Sequence, residues 1–180
     1  MSRIDETLPF HPVRIAVLTV SDTRTPDTDK SGDTLVVRLT EAGHVLVDRG
    51  IVPDDRPAIV QRLKDWIADP QVDVILTTGG TGLTGRDVTV EAHREVYEKE
   101  IEAFGTVFTI VSMQKIGTSA VQSRATGGVA GGTYLFALPG SPGACRDAWD
   151  EILKPQLDSR HRPCNFVEIM PRLEEHLKRK

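Results

Sequence analysis

The chain has 180 residues, 39% of them hydrophobic and 27% charged, and a formal net charge of −4. That length suits one domain able to bury roughly 70% of the surface its unfolded form exposes. The interspersed, mildly acidic charge excludes non-specific nucleic-acid binding as the main task, and the longest apolar runs, 72–76 and 134–138, are far shorter than the roughly 20 residues that cross a bilayer.

The N-terminus is polar and acidic, without the basic start and apolar middle of a secretory leader, so residues 1–12 are expected to be a tail of a cytoplasmic protein. Residues 13–20 then read as a buried strand, being short, apolar and β-branched, followed by a polar loop, 21–27. Residues 33–42 fit a helix with Leu35, Val36, Leu39 and Ala42 on one face and Gly43 as its stop. A second strand covers 45–52. After Pro53-Asp54-Asp55, the spacing of Ile59, Val60, Leu63, Trp66 and Ile67 predicts an amphipathic helix ended by Asp69-Pro70.

A third strand, 72–77, runs into Gly79-Gly80-Thr81-Gly82-Leu83-Thr84-Gly85-Arg86-Asp87. A charged helix is expected from about 88 to 103, while 104–114 fits strand or helix equally. A short helix is expected over 118–125 and a strand over 133–138. Ser141 can then cap, and Pro142 open, a last long helix whose inner face holds Trp149, Ile152, Leu153 and Leu157, with Pro155 kinking or shortening it. Cys145 and Cys164 lie in no CxxC pair and read as reduced packing residues rather than a disulfide or zinc site. The five histidines are scattered and none recommends itself as a general base.

Strands alternating with helices predict a three-layer α/β fold: a mostly parallel sheet with helices on both faces. Ligands of such sheets sit beyond the carboxyl ends of the strands. The loops at 21–32, 53–55, 79–87 and 139–142 should therefore share one rim.

The glycine loop satisfies GxGxxG, but the next segment lacks the acidic residue that would hold a dinucleotide ribose. Read as GxxxxGK[ST] from Gly80, it offers Arg86 and Asp87 where Lys and Ser or Thr belong, so it is not a P-loop. Glycine amides at a helix start nonetheless suit an anion. Asp87 can serve as a helix N-cap. A carboxylate beside a phosphate also calls for a divalent cation, which points to Mg²⁺ shared between Asp87 and substrate phosphates.

The stretch Ile75-Leu76-Thr77-Thr78-Gly79-Gly80-Thr81-Gly82, followed by Arg86-Asp87-Val88-Thr89, resembles the signature of the MoaB/MogA family of molybdenum cofactor biosynthesis proteins. Ile51-Val52-Pro53-Asp54, Gly117-Thr118-Ser119, Gln122-Ser123-Arg124, Leu138-Pro139-Gly140-Ser141 and Arg162-Pro163-Cys164-Asn165-Phe166 also look like family segments, the MoaB branch above all. The resemblance runs from about 13 to 166, implying one molybdopterin-binding domain over 13–166 and a C-terminal tail over 167–180. It further implies a homo-oligomer, trimer or dimer of trimers, for which the apolar stretch 104–113 is a contact surface, and an insertase that accepts the product.

The activity implied is adenylylation of molybdopterin by Mg-ATP with release of pyrophosphate. Asp54 and Asp87 match the family's two acids and become the expected catalytic and Mg²⁺-holding residues. Gly79, Gly80, Thr81 and Gly82 would cradle nucleotide phosphates. Ser112, Ser119, Ser123, Arg124, Pro139, Gly140 and Ser141 would contact the pterin or its phosphate. A non-catalytic molybdopterin carrier and a generic nucleotide-binding regulator are the alternatives.

Overall fold

The computed structural model describes residues 3–178. Residues 1–2 and 179–180, the outermost parts of the two expected tails, lie outside the described residues. A six-stranded sheet has the order β3 (Val45–Val52), β2 (Arg14–Val20), β4 (Val74–Thr78), β7 (Thr133–Leu138), β6 (Thr126–Ala130), β5 (Lys99–Glu100). The first four strands are mutually parallel, whereas β6 runs antiparallel to β7 and β5 antiparallel to β6. A separate antiparallel pair joins β1 (Arg3–Ile4) to β8 (His161–Arg162).

The central strands are apolar on both faces because both are covered. Ile15, Val17, Val74, Leu76, Tyr134 and Phe136 point to one side, packing with Leu35 and Leu39 of α1 (Lys30–Glu41), Phe104 and Phe108 of α4 (Glu102–Ile116), and Trp149. Ala16, Leu18, Ile75 and Leu135 face the other way, toward Ile59, Leu63 and Trp66 of α2 (Arg56–Ile67) and Ala92 of α3 (Thr89–Val96). A two-sided α/β sheet is what the alternating pattern predicts.

The charged helix expected from 88 to 103 is instead α3, the short strand β5 and the start of α4. The chain leaves helical geometry at Tyr97, with ψ of 131°. Its ring lies so close to Gly128 that a Cβ there would come within 2.4–2.6 Å of it. The Glu98 amide then donates to the Val129 carbonyl at 2.8 Å, and the Ile101 amide to the Gly127 carbonyl at 2.7 Å. Local helix propensity yields here to a sheet edge needing a partner. Residues 104–114 are helical within α4, and the expected short helix is a 3₁₀ turn, Gly117–Gln122.

Strand β6 has no counterpart in the sequence reading, although Gly131 and Gly132 at φ 54° and 77° make the two-residue hairpin loop that such a pair signals. The last helix runs as α5 (Pro142–Ala148), a π turn (Trp149–Leu153) and α6 (Lys154–Gln156). The Lys154 amide bonds to Trp149, five residues back, so the register has widened just before Pro155, which has no amide to give. Short helices α7 (Phe166–Ile169) and α8 (Glu175–Lys178) follow. Cys145 is fully buried, but Cys164 is exposed and does not pack.

Candidate functional site

All four parallel strands end on one rim, so the loops after β2, β3, β4 and β7 converge there. The chain steps outward from β2 to β3 and then returns to the other side of β2 as β4. The crevice between β2 and β4 is therefore the switch point where such sheets open for ligands. The glycine loop begins at that crevice. Gly79 has φ +98°, and a Cβ there would stand 2.3 Å from the Val20 carbonyl oxygen. Gly80 has φ +63°, and its Cβ would meet Thr89 Oγ1 at 2.5 Å and Asp54 Oδ1 at 2.9 Å. These two positions demand glycine, and their closeness lets the loop pass between neighbouring strands.

Gly82 and Gly85 have no such backbone constraint. At Gly82 a Cβ would be 2.8 Å from Asp87 Oδ2, whereas Gly85 has open space around it. The loop is closed by side chains. Asp87 Oδ2 accepts from the Thr84 amide at 2.8 Å and the Thr84 hydroxyl at 2.7 Å, and Thr89 Oγ1 donates to the Gly79 carbonyl at 2.8 Å. The expected capping role of Asp87 is not seen. Val88 occupies the N-cap of α3 without a side-chain hydrogen bond, because Asp87 turns back onto its own loop.

Arg124, half-buried, reaches in from the strand β6 side. Its Nε donates to the Thr81 and Gly82 carbonyls at 2.9 and 3.0 Å, while its outer nitrogens take Glu91 and the Asp87 carbonyl. It grips the backbone of the glycine loop directly. Among the described residues, the amides of Gly80 and Thr81 donate to no protein acceptor. They remain available to an anion.

Asp54 stands on the other side of the glycine pair. Its Oδ2 accepts from the Asp22 amide at 3.0 Å, and its own amide donates to Asp22 Oδ1 at 3.1 Å. Burial pushes the Asp54 carboxyl above the usual carboxylate range, and the charges of Asp22 and Asp87 add to that push, against the Asp22 amide and Arg86. Asp87 is shifted the opposite way. Burial would raise it too, but the Thr84 and Gly82 donors and the nearby Arg124 outweigh burial and hold it low. One carboxylate thus stands against Gly80 and the other against Gly82, near enough for the charge of Asp87 to raise Asp54, and a cation between them would relieve that repulsion.

The donor set fits a hard divalent ion. Both side chains offer carboxylate oxygens, and Asp54 Oδ1 receives no hydrogen bond among the described residues. No cluster of three or more His, Cys, Asp or Glu among the described residues could hold a metal unaided. A magnesium ion here would therefore need waters and substrate phosphates as its remaining ligands.

Beside this rim lies a cleft of about 480 Å³ that brings together Ser112, Ser123, Pro139 and Ser141 with Lys115 and Arg146. The cleft is tied to the glycine strand through Pro139, whose carbonyl accepts from Thr78 Oγ1 at 2.9 Å, while Gly140, which does not line the cleft, packs on the loop, a Cβ there standing 3.1 Å from the Gly79 Cα. The Ser141 hydroxyl caps α5 by accepting from the Ala144 amide at 3.2 Å. Ser119 is exposed on the 3₁₀ turn and is not among the residues lining the cleft. Sequence reasoning overlooked Asp22, Arg86 and Glu91. The signal was present, since Ser21-Asp22 follows the first long strand and had to fall on the same rim.

Residues 16–159 match the model of a family described as "Probable molybdopterin binding domain". The chain is 52% identical over 157 residues to molybdenum cofactor biosynthesis protein B of Escherichia coli K12, covering 87% of this chain and 92% of that one. Its identity to the protein of that name from Bacillus cereus is 47% over 146 residues, 81% and 86% of the two chains. A crystal structure of molybdenum cofactor biosynthesis protein B superposes with a TM-score of 0.83 at 42% identity, covering 92% of this chain and 98% of that one. The MoaB structure from Thermus thermophilus does so with a TM-score of 0.71 at 34% identity, over 78% and 89%. With this sheet order, this glycine loop and these relatives, the chain belongs to the MoaB/MogA family of molybdenum cofactor biosynthesis proteins.

Proposed function

We propose that the protein adenylylates molybdopterin with Mg-ATP, the observation that carries this reading being the glycine loop at the sheet's switch point, with the Asp54 carboxylate against Gly80 and the Asp87 carboxylate against Gly82. An oxygen of the pterin's terminal phosphate attacks the α-phosphorus of ATP. A new phosphoanhydride bond forms, the bond from the α-phosphorus to the bridging oxygen of the β-phosphate breaks, and pyrophosphate leaves.

Two anions have to meet, so the protein's part is positioning and charge neutralisation. Asp54 and Asp87 would hold Mg²⁺, which when bound neutralises phosphate charge. The free amides of Gly80 and Thr81 bind phosphate oxygens, and Arg124 fixes the loop that carries them. The neighbouring cleft, with Lys115 and Arg146 at its wall and Ser112, Ser123 and Ser141 inside, suits a polar, phosphorylated pterin. No side-chain nucleophile is needed. His93 and His44, which burial pushes down to about 3 and about 4, stay neutral and do not enter the chemistry.

A cytoplasmic homo-oligomer, trimer or dimer of trimers, completes the proposal, together with an insertase that consumes the adenylylated pterin. Val107, Ile110, Met113 and Ile116 leave an exposed apolar stripe along α4 that a second copy would cover. Incubating purified protein with molybdopterin and Mg-ATP should yield adenylylated pterin and one pyrophosphate per turnover. Pterin binding without pyrophosphate release would overturn the enzyme in favour of a carrier.

A further inference from the structure

Three rim loops meet at one side chain that the proposed reaction does not use. Asp22 lies in the loop after β2, and its Oδ1 accepts the Asp54 amide at 3.1 Å. Its own amide donates to Asp54 Oδ2 at 3.0 Å. Its other oxygen, Oδ2, takes both Nε (3.1 Å) and Nη2 of Arg86, from the far tip of the glycine loop. The reciprocal pair fixes both the backbone and the carboxylate of Asp54, leaving Oδ1 turned to Gly80. The arginine bond ties that tip, where Gly85 is unconstrained, across the crevice.

The base of the Asp22 loop is itself anchored. Fully buried Asp29 caps α1 through the Gly32 amide at 2.9 Å and takes the Thr19 hydroxyl at 2.7 Å and Arg49 at 2.8 Å. Nearer to Asp22, the Ser21 amide donates to the Val52 carbonyl at 2.9 Å, so the residue that links Asp54 to Arg86 follows directly on anchored backbone. Exposed ion pairs contribute little to stability, so the pairing with Arg86 explains more as geometry than as fold energy.

We propose that Asp22 is a positioning residue for the adenylyl transfer, setting the aim of Asp54 and the placement of Arg86 over the nucleotide site. The inference rests on the function proposed above. In this role Asp22 acts through the two residues it holds. Misplacing a reacting group by about 1 Å can cost on the order of 100-fold in rate.

The test compares wild type with Asp22→Ala, Asp22→Asn and Arg86→Ala, by pyrophosphate release with molybdopterin and by calorimetric titration with Mg-ATP. Asp22→Ala should lose about 10- to 100-fold in kcat and about tenfold in Mg-ATP affinity, with KM for molybdopterin within about twofold of wild type and unchanged thermal unfolding. Asp22→Asn keeps an oxygen for the Asp54 amide and should recover part of the loss, and Arg86→Ala should reproduce only the remainder. Wild-type kcat in Asp22→Ala, or an equal rise in KM for both substrates, overturns the proposal. If wild type releases no pyrophosphate, the transfer reading falls on its own. Asp22 is then decided by calorimetry, where tenfold weaker Mg-ATP binding in Asp22→Ala, partly restored in Asp22→Asn, supports it and equal binding overturns it.

Discussion

Asp54 and Asp87 flank the same glycine loop in opposite surroundings, the first at Gly80 and the second at Gly82. Asp87 is provided with donors: the Thr84 amide and hydroxyl, the Gly82 amide and the field of Arg124 hold its carboxyl low. Asp54 is provided with few, and its burial beside Asp22 and Asp87 holds its carboxyl high. One acid therefore fastens the loop while the other carries unrelieved charge. Strain of the second kind is expected at a site built for a cation rather than for stability.

The sharpest way to break this contrast is turnover. Asp54→Asn and Asp87→Asn should each lower pyrophosphate release by at least about 100-fold, on the scale of losing one pre-aligned charge contact. Wild-type turnover in either variant would remove that residue from the site. Next in size is the backbone between them. Gly80→Ala must push against Thr89 Oγ1 and Asp54 Oδ1 at positive φ, whereas Gly85→Ala meets nothing. Turnover should fall about 100-fold in the first and stay at the wild-type level in the second. Equal effects would mean the loop is not read at Gly80.

The smallest effect is also the most discriminating, because its sign differs between the two acids. Asp87 has a depressed carboxyl, so its charge stabilises the fold above the unfolded value near 3.8, and that stability is lost as pH falls through the folded value. Asp54 is raised, so its charge destabilises at neutral pH and the penalty lifts on acidification. At pH 7, Asp87→Asn should lose about 1.5 kcal/mol, the lower end of the worth of a hydrogen bond to a charged group. Asp54→Asn should gain a fraction of that, about 1–2 °C in Tm. Both differences should shrink below about pH 4, by thermal unfolding across pH. Shifts of the same sign would sink the contrast.

Legibility followed the same division between local and distant causes. The strands 13–20, 45–52 and 133–138, the helix face of Ile59, Leu63 and Trp66, and the shared rim could be read directly, since two-sided burial writes continuous apolar runs and 3.6-residue spacing into the chain. The break at Tyr97 could not, because it depends on the ring meeting Gly128, 31 residues later in the chain. Strand β6 went unread although Gly131-Gly132 marks its turn, as 126–130 has small residues and little periodicity. Within the site, Asp87 and the glycines were visible as a motif, and Asp54 through family resemblance. Asp22 and Arg86 lay in loops that the sequence placed on the rim, but their pairing, and that of Glu91 with Arg124, went unread, since ion pairs across loops leave no spacing to find.

The sequence alone therefore determined the α/β layering and the glycine loop with its acid, because both arise from residues near one another in the chain. Tertiary structure decided what that acid does. Asp87 folds back onto Thr84 instead of capping α3, its Oδ2 taking both the Thr84 amide and the Thr84 hydroxyl. Asp54 reaches the same loop, at Gly80, only because β3 and β4 lie on either side of β2.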